Sequence, residues 1–259
     1  MLRRFLLAFS ALLLSFSLFA GSDLEALKKS GVLKVAVDTT YPPMEFEDMK
    51  GNIIGFDVDF AKELANRMGV KAEFVVMPWD GILAGLTSKR YDVIISSMNI
   101  TDDRKKVVNF VEYARMGQIF VAKKGGKVVK SKEDLEGLVV AVQKDTTSSE
   151  AVEKFQKEVK IKAVKNFSAA TDTFNAIKAG QADVIVIDEP VGNYYVNLDP
   201  KTFVVTGEAI APEPIGIAIR KTDRAVSSLI EESFKAMVQD GTYKKIYQKW
   251  FGKDPVLKM

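Results

Sequence analysis

The chain has 259 residues, 47% hydrophobic and 27% charged, enough for one large globular domain or two small ones and too apolar for a disordered chain. It has no cysteine and no histidine, which excludes disulfides, thiol nucleophiles, Cys/His zinc sites, Ser-His-Asp triads and imidazole acid–base chemistry. The net charge is +3, and Arg3 and Arg4 lie in a segment expected to be removed; a nucleic-acid binder carries a larger, clustered basic excess.

Residues 1–22 are expected to be a secretory signal peptide. Met1-Leu2-Arg3-Arg4 is a basic start, Phe5 to Phe19 is apolar except for three serines, and Ala20-Gly21-Ser22 is a small-residue exit. The apolar run is shorter than the roughly 20 residues a membrane span needs. No cysteine follows, so a lipid anchor is not expected and the mature protein is expected free in the periplasm.

Downstream, apolar periodicity and turn residues predict alternating elements. A helix over 23–30 stops at Gly31, and a buried strand follows over 32–37. Asp38-Thr39-Thr40-Tyr41-Pro42-Pro43 is a loop, because paired prolines cannot continue a ladder. Asp57 reads as the cap of a helix carrying Phe60, Ala61, Leu64 and Met68 on one face and closing at Gly69. With Asp59 it reads as compensation of the helix dipole. Then come a strand over 71–77, a helix over 79–89, a strand over 92–96 and a short helix opened by Thr101. Residues 112–123 are extended, and Ser131 caps another short helix. The second half predicts strands over 139–143, 163–164 and 183–187 between helices over 148–158, 171–179 and 191–197. Two short strands, 203–205 and 215–219, precede an amphipathic helix over 223–240, which Gly241 breaks before a last helix over 243–251. The lysines between Lys123 and Lys132 read as a solvated face.

Strands apolar on both faces and alternating with helices predict a mostly parallel sheet wrapped by helices. The strand–loop–helix pattern occurs over 32–104 and again over 139–197, which predicts two α/β lobes.

Several runs, in order and spacing, resemble the polar amino-acid substrate-binding proteins of bacterial ABC importers, solute-binding family 3. They are Gly31-Val32-Leu33-Lys34-Val35-Ala36-Val37, Tyr41-Pro42-Pro43-Met44-Glu45-Phe46, Gly55-Phe56-Asp57-Val58-Asp59, Tyr91 to Thr101 with Arg104, Gln143 to Thr147, Ala182-Asp183-Val184, Asp188-Glu189, Asp240-Gly241-Thr242-Tyr243 and Lys249-Trp250-Phe251-Gly252. The resemblance implies an α/β fold of the type II, two-lobe periplasmic binding class, closing like a hinge on one amino acid. Lobe 1 would be residues 23–115 plus 213–259 and lobe 2 residues 120–212, with hinge strands near 115–119 and 213–217. It implies a monomer that hands a small-molecule ligand, an amino acid, to an inner-membrane ABC permease, with no catalysis, cofactor, metal or nucleic acid.

A closed cleft around a zwitterion needs a cation, an anion and hydrogen-bond donors, since an unpaired buried charge is costly. Arg104, just after the cap Thr101, is the candidate for the α-carboxylate, its guanidinium offering two parallel donors; the plainer reading is a surface arginine. Asp188, ending an apolar strand, is the candidate for the α-ammonium; the plainer reading is a helix cap before Pro190. Thr146 and Thr147 sit at a strand-to-helix turn where amides face a carboxylate or where Thr146 simply caps. Ser96 and Ser97 end a strand, where backbone carbonyls are placed to receive the ammonium, and Asn99 after them offers a donor. Tyr41 and Trp79 match the family's aromatic positions around the ligand side chain, with core packing as the alternative for Trp79. In family members that bind basic amino acids, an aspartate at the position of Asp38 meets the side-chain cation, which favours arginine or lysine. Gln143 would instead serve glutamine or another polar side chain, and Lys144 would neutralise Asp38 if it points inward. The alternative function is a cyclohexadienyl (prephenate/arogenate) dehydratase on the same scaffold, with Arg104, Lys144 and Glu189 as its best machinery.

Overall fold

A computed structural model describes residues 22–256; residues 1–21, nearly all of the expected signal peptide, lie outside it. Helix α1 (Ser22–Ser30) leads into β1 (Val32–Val37), then the short strands β2 (Thr40–Tyr41), β3 (Glu45–Glu47) and β4 (Ile53–Ile54), which form a separate small sheet. Next come α2 (Phe56–Arg67), β5 (Lys71–Val76), α3 (Trp79–Thr87), β6 (Val93–Ile94), α4 (Asp102–Val107) and the long strand β7 (Val108–Lys123). A 3-10 turn (Lys132–Leu135) precedes β8 (Val139–Gln143), α5 (Thr147–Phe155), β9 (Ala163–Phe167), α6 (Ala170–Lys178), β10 (Val184–Asp188) and α7 (Glu189–Leu198). The chain continues through β11 (Phe203–Arg220), α8 (Arg224–Gln239) and α9 (Thr242–Phe251).

One eight-stranded sheet runs in the order β5-β1-β6-β11-β7-β10-β8-β9. Pairing is parallel within β5-β1-β6 and within β10-β8-β9, and antiparallel wherever β7 or β11 is a partner. The sheet is therefore two parallel wings joined through a central antiparallel pair, less parallel than the apolar strand pattern predicts. Helices α1, α2, α3, α8 and α9 pack on or around the first wing, and α5, α6 and α7 on the second. This is a two-lobe α/β architecture.

The pair β7/β11 departs most from the sequence reading. Residues 203–205 and 215–219 belong to one continuous strand, whose register against β7 shifts between Thr206 and Ile210, between Ile210 and Glu213, and between Ile215 and Gly216. Pro212 and Pro214 lack an N–H, so ladder hydrogen bonding is interrupted there and the propensity signal vanishes. Gly117 of β7 permits the close approach, since a Cβ there would lie 2.8 Å from the Ile210 carbonyl oxygen.

Helix α2 opens at Gly55, not at Asp57. Gly55 has φ +140°, and a Cβ on it would lie 2.0 Å from the Met44 carbonyl oxygen, so only glycine fits. Asp57 is instead buried within the first turn, accepting from Ser97 N at 2.7 Å, Ser97 Oγ at 3.1 Å and Tyr113 OH at 2.8 Å. Asp59 accepts from Trp250 Nε1 at 2.8 Å and from Lys249 Nζ at 2.5 Å, which ties α2 to α9. Around them Phe60 stacks on Tyr113 at 4.9 Å and meets Phe234 edge-on at 5.5 Å and Tyr243 at 5.8 Å.

Candidate functional site

The carboxyl ends of β1, β6, β8 and β10 converge, and ligands of open α/β sheets bind outside such ends. A narrow cavity of about 10 Å³ lies there, lined by Asp38, Tyr41, Trp79, Ser96, Ser97, Asn99, Gln143, Thr146, Thr147 and Asp188, together with Glu45 and Ser148. Every residue named from sequence for holding the amino acid is on that lining except Arg104; Lys144 and Glu189, named for other roles, are not on it. Arg104 stands immediately behind it: Nη1 donates to the Asn99 carbonyl at 2.9 Å, Nη2 donates to the Asp145 carbonyl at 3.0 Å, and the guanidinium lies 5.4 Å from the Trp79 ring centre. Trp79 Nε1 donates to the same Asp145 carbonyl at 2.9 Å.

Local sequence explains the placement. Thr101 caps α4, accepting from Arg104 N at 3.2 Å. Ser97 and Asp145 adopt left-handed φ of +49° and +60°, sparsely populated for residues with a Cβ and frequent at functional sites. Thr146 does cap α5, accepting from Ser149 N at 3.2 Å. Asp188 precedes α7, but its side chain makes no cap bond there; it accepts from Tyr41 OH at 2.8 Å across the cavity. Further contacts cross the same gap. Gln143 Nε2 donates to Asp38 Oδ2 at 2.7 Å, Ala170 N donates to Thr40 Oγ1 at 3.2 Å, and Lys144 pairs with Asp80. The two wings are thus drawn together. Lys144 pairs with Asp80 rather than with Asp38.

Burial dominates the electrostatics. It pushes the Asp188 carboxyl up to about 7; the Glu213 carboxylate adds to the shift, while the Tyr41 hydrogen bond and the Arg104 charge oppose it. Burial also raises Asp38, against hydrogen bonds from Thr40 and Gln143. Glu45 is raised well above the ordinary carboxylate range by burial and by the facing Asp57, itself pushed up to about 6 by burial. Glu45 Oε1 accepts from Ser96 Oγ at 2.7 Å, whereas its Oε2 is buried without a donor. Arg104 is lowered by burial and held up by surrounding carboxylates, Glu150 and Glu213 first. Among the described residues no group of three or more acidic side chains is placed to share a metal ion.

Sequence reasoning missed Glu45, Ser148, Gln118 and Glu213. Gln118, 1% exposed, donates to Thr147 Oγ1 at 2.8 Å; a lone amide beside the apolar run Ile119-Phe120-Val121 was a usable signal. Glu45 alternates with Phe46 as any edge residue would, and nothing in its spacing marks a buried carboxyl. Glu189 lies outside the cavity, 3.7 Å from Lys253, and lines a second cleft bounded by α7 and α9.

The sequence pattern of the bacterial extracellular solute-binding proteins, family 3, matches residues 33–253. The chain belongs to that family. The L-cystine-binding protein TcyJ of Escherichia coli is 34% identical over 233 residues, covering 89% of this chain and 86% of the relative. An ancestral arginine-binding protein solved with arginine is 42% identical, covers 86% of this chain and 99% of its own, and superposes with a TM-score of 0.83. An ancestral amino acid-binding protein described as a precursor of cyclohexadienyl dehydratase is 40% identical, with 89% and 100% coverage and a TM-score of 0.82.

Proposed function

We propose that the chain is the periplasmic amino-acid-binding component of an ABC importer and that it captures a basic amino acid, arginine or lysine. Arg104 grips the α-carboxylate, with amides of the Thr146-Thr147 turn as further donors, and Asp188 receives the α-ammonium. Asp38 meets the side-chain cation while Tyr41 and Trp79 flank its stem. In this reading lobe 1 comprises residues 23–115 plus 213–259 and lobe 2 residues 120–212. Residues 1–22 direct export, the hinge strands near 115–119 and 213–217 bend, and the monomer delivers its ligand to the permease.

The observation that carries the basic ligand is the charge balance of the cavity. Three carboxyl groups, Asp38, Glu45 and Asp188, line it, and Arg104 is the guanidinium beside it. A neutral zwitterion engages Arg104 and Asp188 and leaves Asp38 without a cation, whereas a second positive group on the ligand meets it. Named relatives that bind arginine or cystine support an amino acid without choosing the side chain. The dehydratase alternative has less support. Its substrate brings two carboxylates to a carboxyl-rich cavity, and its candidate residues Lys144 and Glu189 pair with Asp80 and Lys253.

A thermal-shift screen of the twenty amino acids plus cystine tests the reading. Arginine and lysine should raise the melting temperature most; a ligand at 100 times its Kd adds about 2.7 kcal/mol. A shift with glutamine or cystine and none with arginine or lysine refutes the basic ligand, and turnover of prephenate to an aromatic product refutes the binding role.

A further inference from the structure

Both long strands send a polar side chain toward the cavity. Gln118 of β7 reaches Thr147, as described above. On β11, Glu213 Oε2 accepts from Asn99 Nδ2 at 2.8 Å. Asn99 is otherwise pinned by backbone: it forms an isolated bridge with Ile215, Ile100 N donates to the Pro214 carbonyl at 2.8 Å, and Gly216 N donates to the Met98 carbonyl at 2.9 Å. The Asn99 carbonyl is the acceptor that holds Arg104 Nη1. A continuous path, Glu213 to Asn99 to Arg104, therefore joins β11 to the guanidinium. Glu213 sits in the stretch where β11 shifts register against β7, opposite Met116. Its charge also favours the charged form of Arg104 and disfavours that of Asp188.

We propose that Glu213 is a positioning residue: by holding the Asn99 side chain it fixes the residue whose backbone carbonyl accepts from Arg104, and thereby ties the orientation of the carboxylate-gripping guanidinium to the strand that links the two lobes. The proposal rests on the assignment of Arg104 to the ligand carboxylate. Every amino acid carries that carboxylate, so Glu213 governs affinity without governing selectivity. An acceptor at this position serves Asn99 whether or not it is charged; a negative charge additionally acts on Asp188.

Calorimetric titration of the mature chain with L-arginine and with L-lysine, at pH 5.5 to 8.5, tests this on wild type, Glu213→Gln, Glu213→Leu and Arg104→Ala. Glu213→Leu removes the acceptor and should weaken both ligands in the same proportion, by about tenfold, or about 1.4 kcal/mol. Glu213→Gln keeps the acceptor and should stay within about threefold at pH 8. It should also move the acid limb of binding to lower pH. The groups acting on Asp188 are Tyr41, Arg104 and Glu213, and removing the last negative charge lets Asp188 stay ionised further into acid. A merely structural role would leave that limb in place. Arginine affinity unchanged in Glu213→Leu, or a loss confined to one ligand, overturns the proposal. If Glu213→Leu does not fold, Glu213→Ala takes its place, and arginine affinity unchanged there overturns the proposal. Full affinity in Arg104→Ala overturns instead the assignment of Arg104, so the two failures are told apart.

Discussion

At the scale of single residues, the site holds ionisable groups in unfavourable surroundings until a ligand arrives. Asp188 carries the clearest consequence. A carboxyl raised in the folded state from 3.8 to about 7 lends stability that is complete below pH 3.8 and lost as the pH rises through about 7. At pH 8 its ionised form strains the ligand-free fold, by an amount of order 4 kcal/mol. Asp188→Asn, which can still accept from Tyr41, should therefore melt higher than the ligand-free wild type at pH 8, with the gap narrowing at pH 5.5. It should also bind arginine at least 100-fold more weakly. A variant that melts lower at pH 8 contradicts this account of the buried charge. Asp38→Asn should separate side-chain from main-chain recognition, with arginine and lysine losing about 2 kcal/mol of affinity, as when one partner of a buried charge pair is removed. Competition titrations against other amino acids should show no comparable loss. Most of the site was legible because its residues sit at strand ends and inside short motifs. Glu45 and Glu213 were not, because their significance comes from what faces them across the fold: Asp57 and Ser96 for one, Asn99 for the other.

At the scale of elements, helices and buried strands could be read from apolar spacing, while the places where the backbone does something irregular could not. Helix α8 appears where Leu229, Ile230, Phe234, Met237 and Val238 share a face, and β10 where an unbroken Val/Ile run ends in an aspartate. Strand β11 looked like two fragments because its prolines erase the local signal, and only pairing with β7 restores continuity. The start of α2 was misplaced because Asp57 is a good cap by type, yet the tight approach of Met44 requires the glycine two residues earlier. Gly55→Ala should accordingly cost about 3 kcal/mol or more, combining a strained φ with a clash against backbone that cannot swing away. Urea unfolding should show a lower midpoint with an unchanged slope; a midpoint within experimental error of wild type would contradict the packing described at that turn.

For the whole molecule, the two wings belong to one sheet, and the strands that join them pair with each other along their length. Separate melting of the halves would leave β7 and β11 half unpaired, so urea unfolding should proceed in a single transition by both tryptophan fluorescence and circular dichroism. Arginine should displace the transition as a unit, and non-coincident curves would show the halves to be independent. The order of the chain adds a constraint of another kind. Phe56 and Phe60, the latter stacked on Tyr113, find edge-on ring partners in Phe234 and Tyr243, so the early part of the chain is completed by the late part. As the chain folds, the middle segment has all its own strands in hand while the opening segment depends on α8 and α9 to cover its aromatic surface. A chain truncated before α8 and α9 would keep the partners of its middle segment while its opening segment, with bare aromatic surface, would be a target for chaperones and proteases.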